Sequence, residues 1–166
     1  MNSYVVLWFG IALGLFWAVG AYNRLVRLRS QGLAAFANLD DLLNQFVAIT
    51  REQVLDSATL VAAAEQFQAS LKVSRSQPLN GPTTSALRTA YETLCSCWSR
   101  PPQSAPGSAG PTMPADLSAQ REQLGLQIEL ARSDFNKSVA RYNAAIHQFP
   151  ARVLAWIFGF RPAQPM

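Results

Sequence analysis

Lysine is almost absent from this chain, histidine and cysteine are nearly so, and no proline occurs before position 78. Lys72 and Lys137 are the only lysines, so the net charge of +4 rests mainly on arginine. The arginines are scattered along the sequence and interleaved with Asp and Glu, without the basic stripe that tracks a nucleic-acid backbone. No nucleic-acid partner is expected, and a pI near 9.5 points instead to an anionic membrane surface. Charged residues make up only 14% of the chain, which is low for a soluble domain.

Candidates for chemistry are equally scarce. Cys95-x-Cys97 is the only cysteine pair and His147 the only histidine, so zinc would find three ligands on separate elements and no fourth. The pair lacks the Cys-x-x-Cys spacing of redox sites, and in a cytoplasmic domain both thiols stay reduced and pack beside Trp98. His147 falls near the end of a helix, where the macrodipole favours a cation. No nucleophile elbow, phosphate loop or acidic pair at metal spacing occurs, and Glu122 and Glu129 read as solvated charges on a helix face. The expectation is a protein with no enzymatic activity, cofactor, metal or small-molecule substrate.

What the chain does contain is a run from Tyr4 to Tyr22 without charge or proline. These roughly 19 residues reach about 28 Å as a helix, close to the ~30 Å hydrocarbon core of a bilayer. Residues 1–22 are therefore read as a transmembrane helix, with Tyr4 and Tyr22 at the two headgroup levels. The run exceeds a usual signal-peptide core and no basic residue precedes it, although Ala18-Val19-Gly20 resembles a cleavage site. Arg24, Arg27 and Arg29 follow directly, and such a bias keeps that side in the cytoplasm. The N-terminus then faces out across a bacterial inner membrane and the bundle lies in the cytoplasm; the alternative is an exported periplasmic or envelope protein with a cleaved or uncleaved signal anchor. Gly10 and Gly14 form a G-x-x-x-G pattern that lets membrane helices approach closely.

Beyond Asn23 the pattern turns amphipathic without a break. Leu25, Leu28, Phe36, Leu39, Leu43 and Phe46 recur at spacings of three and four, with one longer gap across Gly32, so a single helix is predicted from the membrane to about Gln53. A second helix starts near Asp56 or Ser57 and ends in the turn signal Ser76 to Pro82. Thr83 or Thr84 caps a third, which stops at Pro101-Pro102. Residues 101–114 are rich in Pro, Gly, Ser and Ala and read as a flexible linker. The last helix carries Leu117, Leu124, Ile128, Ala131, Phe135, Ser138, Tyr142, Ala145 and Phe149 on one seam up to Pro150. The fold class is all-α: a transmembrane helix continuing into an antiparallel four-helix bundle over 23–150, with long first and last helices and an apolar tail over 151–166.

The run AYNRLVRLR, with Phe36, Ala37 and Asp40, resembles the opening of LemA family proteins. The closing segment ARSDFNKSVARYNAAIHQFPARVLAWIFGF resembles that family's ending at Ala131, Arg132, Asn136, Val139, Tyr142, Asn143, Phe149, Pro150, Ala155, Phe158, Gly159 and Phe160, with Phe135 in place of a tyrosine. The family's usual basic pair and D-L-I-P-N-L-V run are replaced here by DDLLNQFVAIT, which marks a divergent member. The resemblance implies a membrane-anchored helical bundle with no established enzymatic activity.

Two further expectations concern the membrane end. Tyr22-Asn23 and Tyr142-Asn143 are expected at one level, where buried Asn23 and Asn143 would set the register of the long helices. The tail either caps the bundle or places Trp156, Phe158 and Phe160 among lipid headgroups, with Arg152 and Arg161 towards phosphate. The expected partners are membrane lipids, further copies of the chain and other membrane proteins, for which the bundle serves as a scaffold.

Overall fold

The computed structural model describes residues 2–53, 58–99, 115–149 and 151–166. Five helices follow one another, and no strand occurs among the described residues: α1 (Asn2–Gln53), α2 (Ala58–Ser76), α3 (Gly81–Ser99), α4 (Ala115–His147) and α5 (Ala151–Phe158). The helix expected from the membrane segment to Gln53 is unbroken over 52 residues. The proposed caps Asp56 and Ser57 and the linker at 101–114 fall outside the described residues, as does the Trp98 side chain.

Cross-helix contacts give an up-down-up-down order. Phe36 meets Phe135 and Trp17 meets Phe149, so α4 runs antiparallel to α1. Arg75 pairs with Asp40 at 2.9 Å and Arg51 donates to Gln68, which makes α2 antiparallel to α1. Ser74 donates to the Thr83 carbonyl across the α2–α3 turn. Tyr91 of α3 joins the pairs, its ring 5.8 Å from Phe46 and 6.0 Å from Phe67.

The α1 seam is the one the spacing predicts: Leu25, Phe36, Leu39, Leu43 and Phe46 are buried and Leu28 packs beside them. The gap across Gly32 is filled by the fold. Gly32 is itself buried, and Leu79 of the α2–α3 turn stands 3.5 Å from where its Cβ would be. On α4 the seam holds from Leu124 to Ala145, with Val139 buried where Ser138 was expected. Phe149 departs from it, 79% exposed, because α4 ends at His147 and carries Phe149 past the core onto Trp17.

The start of α3 also differs from expectation. Asn80 precedes the helix and its carbonyl accepts the first helical bond from the Thr84 amide. The Thr83 and Thr84 hydroxyls donate to that same carbonyl instead of accepting from helix amides, so neither serves as the N-cap.

The part of α1 before the bundle packs on little. From Tyr4 to Gly20 nearly every side chain is exposed. This stretch makes α1 the one helix among the described residues that is long and apolar enough to cross a membrane, with a mean hydropathy of 2.0 and none of that window buried.

Candidate functional site

The tail expected to be either cap or membrane contact changes course at a glycine. Helix α5 ends in a Schellman-type turn: Gly159 has φ +68° and the Phe160 amide donates to the Ala155 carbonyl at 2.9 Å. Only glycine enters that backbone region without a Cβ penalty, and the turn sends the chain back along the bundle.

Residues 160–166 then form a strap on α4. Asn143 holds Ala163 at two points, its Nδ2 donating to the Ala163 carbonyl at 2.7 Å and its Oδ1 accepting from the Ala163 amide at 2.9 Å. Asn136 repeats the arrangement with Met166, at 2.9 and 2.8 Å. Arg132 Nε adds a bond to the Met166 carbonyl, and the Tyr142 hydroxyl donates to the Arg161 carbonyl at 3.1 Å. Helical spacing explains the set: Arg132, Asn136 and Asn143 line up beside the buried stripe of Phe135, Val139 and Tyr142.

Strap and helix are commensurate. Asn136 and Asn143 lie two turns apart, about 10.5 Å, while Ala163 and Met166 are three extended residues apart, about 9 to 10 Å. Burial follows the same period: Phe160 is partly buried, and Ala163 and Met166 are buried, with the residues between them exposed. Gln164 lies over Gly81, where a Cβ would stand 2.5 Å from its side-chain carbon.

Helix α5 turns the other way. Trp156 is 85% exposed, and Val153, Ile157 and Phe158 are also largely exposed, while Ala151 and Ala155 face the core. Phe158 lies 4.9 Å and Phe160 6.0 Å from Tyr22, ring to ring, which fixes α5 at the level where the apolar part of α1 ends. Phe149 meets Trp17 about 7 Å nearer the N-terminus of α1. Beside the Trp17–Phe149 contact opens a cleft of about 400 Å³ lined by Phe16, Trp17, Arg24, Leu25 and Phe149, among others.

Charge is sorted along the bundle in a way the linear sequence conceals. Residues 1–39 and 135–166 contain no Asp or Glu, and packing α4 antiparallel to α1 brings these two acid-free stretches together. Arg24, Arg27, Arg29, Arg141, Arg152 and Arg161 are all exposed in them. These six arginines, from opposite ends of the sequence, thus form an acid-free basic collar beside the apolar end. The Arg29 guanidinium also lies 6.0 Å from the centre of the Phe160 ring.

The remaining sites expected from sequence fall as follows. Gly10 and Gly14 lie on the free part of α1, with nothing within 4 Å of where a Cβ would be. Tyr22 and Tyr142 both reach the tail, but Asn23 is exposed while Asn143 is spent on Ala163. The buried asparagine pair is therefore replaced: register between the long helices rests on apolar packing such as Phe36 on Phe135, and the α4 asparagines bind the strap. Burial pushes the Tyr142 hydroxyl above its usual range against the opposing effect of Arg29. Burial likewise raises the Cys95 thiol, and neither Cys95 nor Cys97 is in a disulfide. His147 is exposed, and among the described residues no group of His, Cys, Asp and Glu is placed to hold a metal ion.

The comparison with protein-family models matches residues 110–166 to the LemA family. Neither the curated proteins nor the solved structures yield a match. The matched segment contains α4, α5 and the strap, including Arg132, Asn136, Tyr142, Asn143 and Gly159, and over these residues the chain is similar to LemA family proteins.

Proposed function

We propose that the protein is a single-pass membrane protein whose α1 crosses a bacterial inner membrane with its N-terminus outside. Its bundle works in the cytoplasm as a non-enzymatic platform for assembly. The observation that carries this reading is the joint surface at one end of the molecule. The bare apolar stretch of α1 runs into the exposed face of α5, and six arginines without a single acid surround the junction. An apolar helix face set at that level suits the headgroup boundary, and the arginines suit anionic lipid phosphate on the cytoplasmic side. α5 lies in the interface while α1 spans it.

Self-association completes the proposal. The Gly10 and Gly14 face of α1 is uncovered in the single chain and allows a second α1 to approach closely. The bundle then supplies a regular cytoplasmic surface for other membrane proteins. Protease added to intact spheroplasts should leave the bundle uncut and should cleave it after lysis. Cleavage in intact spheroplasts would place the bundle outside and favour an exported protein.

A further inference from the structure

We infer that the strap-facing side of α4 is a peptide-recognition site for proline-spaced extended segments, filled in this structure by the chain's own residues 160–166. This goes beyond the membrane reading and does not depend on it.

The contacts are those of a receptor that reads main chain. Asn136 and Asn143 each satisfy both the amide and the carbonyl of one strap residue, two helical turns apart. Such bonds do not depend on the side chains of the ligand. Side-chain choice enters at Ala163 and Met166, each almost fully buried, which sets a pattern of a small residue followed three positions later by methionine. The residues between them are exposed.

Proline fits this pattern for a physical reason. The site uses the amides of Ala163 and Met166, and the prolines stand at 162 and 165, each just before a residue whose amide is held. Proline lacks the N–H that is not needed and holds the chain near the three-residue turn that the asparagine spacing demands. A segment already extended loses less freedom on docking. The turn at Gly159 sets the strap apart from α5, and an equivalent peptide supplied in trans would meet the same asparagine contacts once the strap is displaced.

The test uses the full chain in mild detergent, where lipid contact plays no part, and a fluorescent peptide Phe-Arg-Pro-Ala-Gln-Pro-Met with an amidated end. Ala163→Trp cannot seat its own strap and should bind the peptide saturably, roughly tenfold or more tighter than the unaltered chain does. Adding Asn143→Leu to that variant should weaken binding by roughly tenfold or more. Absence of saturable binding to folded Ala163→Trp would overturn the inference. On the unaltered chain, a large excess of unlabelled peptide should speed hydrogen exchange at the Ala163 and Met166 amides. Exchange there that ignores the peptide overturns the inference independently of how the variant folds.

Discussion

Asn143 grips Ala163 by both its amide and its carbonyl, at 2.9 and 2.7 Å, across 20 residues of sequence. The pair ties the strap to α4 about one turn before that helix ends at His147. Asn143→Leu should therefore release the strap while leaving the α1–α4 seam intact. Two main-chain groups would lose their partner, a cost of about 1–3 kcal/mol in denaturant unfolding. Hydrogen exchange should quicken at Ala163 and Met166 and stay slow across α4.

Gly159 gives a sharper contrast. With φ at +68°, Gly159→Ala must strain the turn that closes α5, at about 1–2 kcal/mol. Gly10→Ala, on a helix with open space around it, should not destabilise the bundle. Equal unfolding midpoints for the two variants would contradict the role given to the turn.

Phe135 tests the seam. It is fully buried with its ring 5.8 Å from Phe36, and Phe135→Ala should cost about 3–5 kcal/mol through lost contacts and a cavity. A smaller effect would mean that α1 and α4 do not pack through these rings.

Alkaline pH should loosen the bundle. Burial raises the Tyr91 and Tyr142 hydroxyls above their usual range, whereas unfolded tyrosine titrates near pH 10. Below about pH 10 both states keep these protons and the contribution is whole. As pH rises further the unfolded state releases protons that the native state still holds, so stability falls until the folded hydroxyls also ionise. Tyr142→Phe should lessen the slope of stability against pH above 10, as measured by denaturant midpoints, and should also lose the bond to Arg161.

Much of this architecture is legible in the sequence because it rests on one period. Leu25 to Phe46 and Leu124 to Ala145 repeat at three and four, and the run before Asn23 is too apolar to mistake. The strap is not legible that way. Its buried positions, Phe160, Ala163 and Met166, repeat at three, which is neither a helix nor a strand period, and its partners lie on another element. The asparagines of α4 stand out, but nothing in their spacing says whether they face α1 or the tail. The basic collar is hidden for a similar reason: its arginines belong to two acid-free stretches at opposite ends of the sequence, and only antiparallel packing of α1 and α4 brings them together.

The most direct test of the central proposal is the depth of residue 156 in a bilayer. With Cys95 and Cys97 replaced by serine and Trp156 by a spin-labelled cysteine, the full chain is placed in nanodiscs containing anionic lipid. Collision with oxygen, which favours lipid, is compared with collision with a water-soluble nickel complex. The account predicts a label in the headgroup layer, reached by oxygen and shielded from nickel, and a shallower position when anionic lipid is omitted. A label exposed to nickel as freely as one at exposed Lys72 would contradict it.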